Sequence, residues 1–303
     1  MFYNLKKEMK RLALLIGSPS HPNTTNAGIY LEGVKTDIEN IYGFLSSSIG
    51  GSWRKEEIKV FCPNPTYSEV ESYLKSCEDV DFAFVYFSGH GYTDNQEKPR
   101  VVFNQKEEPF VIEDLANRAK RQITIIDACR TYPEYIGFDG ITLLESIDFP
   151  NPNPVSARAS YEKHILKIPA TRVLLFATSK GSVSMDYGSK YGGLFSSSLL
   201  SVMKNKYKAE NKEIFNIAEV FKTAKINTQK NKAKQRPEIY ISDDNALSLP
   251  FAVKPDYNPQ QIKLCQKKSN NNLIEDIAKG ALIGAGIILT GILIGSLIND
   301  KKK

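Results

Sequence analysis

The chain has 303 residues, 41% of them hydrophobic and 24% charged, with a net charge of +6, a balance that suits one large globular domain plus an appendage. Four irregularly spaced cysteines (Cys62, Cys77, Cys129 and Cys265) include no CxxC pair and no metal-ligand spacing. No metal site is therefore expected, and the usage suits a reducing compartment.

The N-terminus from Met1 to Arg11 is basic, but the apolar run behind it, Leu12 to Ile16, is too short for a secretion signal. Leu12-Ala13-Leu14-Leu15-Ile16-Gly17 reads as the first strand, and Ser18 to Thr25 as a polar loop. Val34, Ile38, Ile41 and Leu45 follow helical spacing until Gly50-Gly51 breaks it, and Ile58 to Phe61 is a short strand. Thr66 and Glu69 form a capping-box pair ahead of Val70, Tyr73, Leu74 and Cys77, which line one helix face. Asp81-Phe82-Ala83-Phe84-Val85-Tyr86-Phe87 is an apolar strand that runs into Ser88-Gly89-His90-Gly91. Val101 to Phe103 reads as a hairpin arm and Val111 to Ala119 as a helix. Ile123-Thr124-Ile125-Ile126 is then a buried β-branched strand, followed by Asp127-Ala128-Cys129-Arg130. This alternation predicts an α/β fold with a mostly parallel central sheet and helices on both faces.

The pattern changes from Tyr132 to Pro169. Phe149-Pro150-Asn151-Pro152-Asn153-Pro154 cannot continue a helix or a central strand, so an exposed loop is expected over about 149–169. Arg172 to Ala177 is another core strand, and Tyr191-Gly192-Gly193-Leu194-Phe195 turns into a helix carrying Leu199, Leu200 and Met203. Lys222, Lys225, Lys230, Lys232, Lys234 and Arg236 lie in a stretch without acidic residues. No aromatics interleave with them, so a solvated helix end and no nucleic-acid partner is expected. Ile239-Tyr240-Ile241 is strand-like.

Beyond residue 253 the composition becomes that of a polar tether, 254–276. A membrane-spanning helix is expected over 277–299, with a basic tail at 300–303. Within it, Gly280 to Ile298 is a run of 19 residues without a charge. Such a helix would be about 28 Å long, close to the hydrocarbon thickness of a bilayer. Gly280/Gly284 and Gly291/Gly295 have the spacing that lets two such helices pack into a homodimer. Lysines flank the run on both sides, so charge barely orients it. The free thiols favour a single-pass anchor with the globular domain facing the cytoplasm.

Functional residues of parallel sheets gather at the carboxyl ends of the strands. If the two strands at 82–87 and 123–126 are neighbours, His90 and Cys129 emerge side by side, the minimum equipment for thiol nucleophilic catalysis. At these residues, Ser88-Gly89-His90-Gly91 and Asp127-Ala128-Cys129, thirty-nine residues apart from histidine to cysteine, the chain resembles the caspase–metacaspase superfamily of cysteine proteases. The resemblance covers Arg11 to about Val253. It implies a caspase-like domain over 1–253, with a large-subunit-like part at about 10–148, the proline-rich loop, and a small-subunit-like part at 170–253. It also implies a cysteine endopeptidase acting on protein or peptide substrates through a Cys129/His90 dyad. Backbone N–H groups of Gly91 and Cys129 would form the oxyanion hole, with no third acidic member and no cofactor; calcium dependence stays open.

The resemblance also bears on specificity. Aspartate-cutting caspases carry a glutamine two residues before the cysteine and an arginine in the small-subunit loop. Here those positions are Asp127 and, in Ala177-Thr178-Ser179-Lys180-Gly181-Ser182-Val183-Ser184-Met185-Asp186, Asp186. Two carboxylates would repel a substrate aspartate and pair with Arg or Lys. Metacaspases, which cut after Arg or Lys, use residues matching Asp37, Ser88 and Asp127. Val34 and Arg130-Thr131 depart from their pattern, and bacterial caspase-like proteins with Asp-Ala-Cys-Arg are nearer. The substrate-binding set is thus Asp37, Ser88, Asp127, Ser184 and Asp186. Arg158 or Lys163 in the proline-rich loop is the expected self-cleavage site. The alternative is a membrane-acting effector or scaffold in which the caspase-like domain serves as a switch.

Overall fold

A computed structural model of the chain describes residues 9–20, 30–104, 109–131, 149, 151–232, 234–255 and 257. All belong to the compact unit Met1–Tyr257. The expected membrane helix at 277–299, most of the tether and the basic tail lie outside the described residues. Among the described residues no helix is long and apolar enough to cross a membrane.

Six strands form the central sheet: β1 (Arg11–Ser18), β2 (Ile58–Phe61), β3 (Phe82–Gly89), β7 (Arg121–Asp127), β8 (Thr171–Phe176) and β10 (Glu238–Ile241). Their order is β10-β8-β7-β3-β1-β2. Every pair is parallel except β10 with β8. Both faces of the inner strands are apolar, as burial on two sides demands. In β3, Phe84 and Tyr86 face one core and Val85 and Phe87 the other; β1 divides Ala13 and Leu15 from Leu14 and Ile16 in the same way. The first core is closed by α1 (Gly33–Ser46), α4 (Pro154–Leu166), α5 (Leu194–Ala209) and α6 (Ile217–Asn231), through Ile41, Phe44, Tyr161, Leu199 and Val220. The second is closed by α2 (Tyr67–Ser76), α3 (Ile112–Ala116) and a small antiparallel sheet of β4 (Gly91–Thr93), β5 (Pro99–Val102) and β6 (Pro109–Val111). A further antiparallel pair joins β9 (Ile214–Asn216) and β11 (Pro250–Val253).

The expected capping box is present. The Thr66 hydroxyl accepts from the Glu69 amide at 3.3 Å, and the Thr66 amide donates to the Glu69 carboxylate at 2.8 Å. The expected helix from Val111 to Ala119 is only the five residues of α3.

The segment expected as a loop over about 149–169 departs further from the sequence reading, because α4 occupies most of it. Pro154 is its first residue, where the missing N–H costs nothing and the fixed φ already suits a helix. Ala157, Tyr161 and Ile165, four residues apart, are its buried stripe. Proline was therefore a start signal rather than a breaker.

This helix is held to β1 by a buried ionic network. The Arg11 side chain is fully buried, its guanidinium carbon 4.5 Å from the centre of the Trp53 ring and its Nε 3.3 Å from Glu57. Arg158 of α4 donates to the same Glu57 at 2.6 Å and pairs with Glu162 at 2.8 Å. Burial alone would push the Glu57 carboxyl up, yet the two guanidiniums outweigh it and hold the carboxyl below its usual value. Glu57→Ala should leave Arg11 and Arg158, two buried like charges, with Glu162 as their one remaining partner in this network. We expect a loss of about 3 kcal/mol, read as a fall in Tm and in the denaturant midpoint; an unchanged midpoint would show the network to be incidental.

Candidate active site

The parallel pairing of β3 with β7 places Ser88 opposite Asp127. His90 and Cys129 follow two residues later on each chain, so both emerge at the carboxyl edge of adjacent strands. Gly91 keeps the two loops together. A Cβ there would stand 2.8 Å from the Cys129 carbonyl oxygen and 2.9 Å from the Ala128 Cβ, so any larger residue would push the loops apart.

His90 is buried, with Nε2 3.3 Å from the carbonyl oxygen of Pro19. A carbonyl only accepts, so this contact places a proton on Nε2 and leaves Nδ1 as the basic nitrogen of the neutral ring. Cys129 is half-buried, and its thiol is held by one residue: it donates to the Ser184 carbonyl at 3.7 Å and accepts from the Ser184 amide at 3.4 Å. Burial pushes the thiol up; the Ser184 amide lowers it and the Asp127 charge raises it, leaving the thiol above its ordinary value. The shift disfavours the thiolate. A base must remove its proton before attack.

The five residues expected to bind substrate gather behind this pair. Asp37, from α1, accepts from the Ser88 hydroxyl at 2.7 Å and from the Gly193 amide at 2.8 Å. Asp127 accepts from the Ser184 hydroxyl at 2.6 Å, and from the Ser196 hydroxyl at 2.6 Å and amide at 3.1 Å. Asp186 accepts from the Gly33 amide at 3.1 Å and the Gly188 amide at 2.9 Å. Gly192 and Gly193 make room for the cluster. A Cβ on Gly192 would stand 2.2 Å from Asp37 Oδ1 at a backbone φ of +73°, and one on Gly193 would stand 2.5 Å from Asp127 Oδ2.

Among the described residues no cation pairs with any of these three carboxylates. Their charge is met instead by the Ser88, Ser184 and Ser196 hydroxyls and by amides at helix N-termini: Gly193 and Ser196 open α5, and Gly33 opens α1. Amides at a helix start carry partial positive charge and accommodate anions. The compensation is partial. Burial, then the neighbouring Asp127 charge, pushes the Asp37 carboxyl well above the usual range; burial likewise raises Asp127, against the pull of its serine donors. Among the described residues no group of three or more His, Cys, Asp or Glu could hold a metal ion.

Several contributors were not legible in the sequence. Pro19 orients His90, and Ser196 anchors Asp127 while accepting from the Tyr86 hydroxyl at 2.7 Å. Arg130, which departs from the metacaspase pattern, has its guanidinium 4.3 Å from the centre of the Phe176 ring and pairs with Glu238 of β10 at 2.5 Å. Its amide donates to the Ser182 carbonyl at 2.9 Å and its carbonyl accepts from the Thr93 hydroxyl at 2.9 Å, so three loops are tied around the cysteine. Arg158 and Lys163, the expected self-cleavage positions, both lie in α4. A protease needs an extended scissile peptide, so cutting at either would require α4 to unwind.

The family model described as the caspase domain matches residues 10–246. No curated protein matches the chain. Among solved structures, caspase-1 from Spodoptera frugiperda is similar, at 17% identity and a TM-score of 0.48 over 77% of this chain and 87% of that one.

The raised Asp37 carboxyl sets a pH signature. A carboxyl whose folded value is raised supports the fold while protonated, and that support is lost as pH climbs from the unfolded value through the folded one. Asp37→Asn removes this loss while still accepting from Gly193. The Tm of the variant relative to the native chain should therefore rise as pH climbs above the ordinary carboxyl value of about 4, by several degrees. A difference that stayed constant or fell with pH would overturn the assignment.

Proposed function

The chain belongs to the caspase-domain family and is a cysteine-type endopeptidase; from that premise we propose that it cleaves protein substrates after Arg or Lys, using Cys129 as nucleophile and His90 as base. The carrying observation is the pocket floor: Asp37, Asp127 and Asp186 meet around Gly192 and Gly193 with no described cation to neutralise them. A guanidinium or ammonium entering there supplies the missing charge, whereas a substrate carboxylate would add negative charge to a partly desolvated acidic site.

In the proposed reaction the thiol proton passes to His90 Nδ1 as sulfur bonds to the substrate carbonyl carbon. N–H groups of Gly91 and Cys129 receive the developing oxyanion. The imidazolium then protonates the leaving amine as the C–N bond breaks, and water hydrolyses the thioester. Pro19 keeps Nε2 protonated throughout, so Nδ1 alone carries the moving proton. No cofactor enters these steps.

The 19-residue uncharged run from Gly280 to Ile298 supports a membrane-tethered enzyme, and its glycine spacing supports pairing of two anchors. Free thiols at Cys62, Cys77 and Cys129 favour a catalytic domain on the cytoplasmic side.

Fluorogenic peptides ending in Arg, Lys, Asp or Leu, offered to the full chain in membranes, test the proposal. Arg and Lys peptides should be cleaved at least about tenfold faster than Leu, with Asp slowest. Cys129→Ala should abolish cleavage, and Asp186→Asn should cut the advantage of Arg over Leu severalfold. Preference for Asp, or equal rates on all four peptides, would overturn the basic specificity.

A further inference from the structure

Gln235 lies between α6 and β10, with 1% of its surface exposed. Both of its N–H donors and its carbonyl oxygen are engaged by one stretch of chain. Nε2 donates to the Ala177 carbonyl at 3.1 Å and to the Ser184 hydroxyl oxygen at 3.1 Å, and Oε1 accepts from the Met185 amide at 3.1 Å. The orientation is forced, because Ala177 offers only an acceptor and Met185 only a donor. The carboxamide thus stands in for a rung of sheet between the residue just past β8 and the loop that carries Ser184, Met185 and Asp186.

The consequences reach both halves of the site. With Gln235 donating to its oxygen, Ser184 directs its own proton at Asp127 Oδ1, 2.6 Å away. The Ser184 backbone meanwhile holds the Cys129 thiol through its amide and carbonyl. One buried side chain, remote in sequence from both Cys129 and the Ser184 loop, therefore governs the placement of nucleophile and pocket floor together.

We propose that Gln235 is the positioning residue of the substrate-binding loop, holding Ser184 and Met185 against the end of β8 and aiming the Ser184 hydroxyl at Asp127. The part concerning selectivity rests on the basic pocket proposed above; the part concerning loop placement does not.

Two substitutions in the full chain separate positioning from bulk. Gln235→Met keeps length and volume but neither donates nor accepts. Gln235→Glu keeps the shape, but its carboxylate cannot donate to Ala177 and would draw the Ser184 proton away from Asp127. Rates are expressed per active site, titrated with an irreversible peptidyl ketone matched to the preferred peptide, so that any loss of folded protein drops out.

For Gln235→Met, KM on the best native substrate should rise about tenfold with a smaller change in kcat, and the Arg-to-Leu ratio should shrink about tenfold. Gln235→Glu should lose at least as much of that ratio. Combined with Asp127→Asn, Gln235→Met should add little further loss of selectivity, since both act on one hydrogen-bonded chain. A purely structural role would lower Tm and the titrated fraction while leaving constants per site untouched. Per-site constants within twofold of the native enzyme for Gln235→Met, or native selectivity in Gln235→Glu, would overturn the proposal. If the native chain shows no preference for Arg or Lys, the pocket reading fails; Gln235 is then judged by KM on whichever peptide is cleaved best.

Discussion

Everything at the functional edge depends on the parallel register between β3 and β7. Because Ser88 faces Asp127 across that pair, the residues two steps further, His90 and Cys129, share one level above the sheet. Side-chain direction alternates along a strand, so a slip of one residue would turn Asp127 from one face of the sheet to the other and offset the dyad. The register is protected by burial on both faces: all eight residues of β3 are buried, and six of the seven in β7. Gly91 then brings the loops into contact where a side chain would hold them apart.

The same register concentrates negative charge. Asp37 and Asp127 are both at most 5% exposed, without a described cationic partner. Isolated buried carboxylates are costly, and the fold offsets the cost with serine hydroxyls and the amides of the first turn of α5 rather than with cationic side chains. The result is a cluster of carboxylates incompletely neutralised. On the proposed reading, a substrate cation satisfies that remainder of electrostatic demand, and helix amides, fixed in place, cannot migrate to compete with it.

Sequence reasoning reached the parts of this arrangement that depend on local pattern. Apolar β-branched runs marked β3 and β7, and the motifs at their ends placed His90, Cys129, Ser88 and Asp127. Asp37 and Asp186 were reached through family resemblance, with no local feature to mark them. What stayed hidden depends on contacts between distant segments. Pro19 matters through its carbonyl, which carries no residue signature. Ser196 and Gly193 matter because α5 happens to open beneath Asp127, 69 residues away for Ser196. Gln235 is one polar residue in a basic stretch until Ala177, Ser184 and Met185 are seen around it. The helix α4 was misread for a different reason: its Ala157, Tyr161 and Ile165 stripe was legible, but the prolines before it were weighed as breakers when the last of them starts the helix.

On the proposed reading, nucleophile and pocket are not independent. Asp127 raises the Cys129 thiol electrostatically, and through Ser184 it is joined to the residue whose backbone holds that thiol. Asp127 favours a protonated sulfur, while the Ser184 backbone restrains it. On the proposed reading, a guanidinium seated against Asp127 offsets the charge that disfavours thiolate, so the substrate that fits the pocket also eases deprotonation by His90. A neutral side chain would leave Asp127 uncompensated and the thiol raised. Selectivity would then appear in the chemical step as well as in binding, because the charge that recognises the substrate also governs the acidity of the nucleophile.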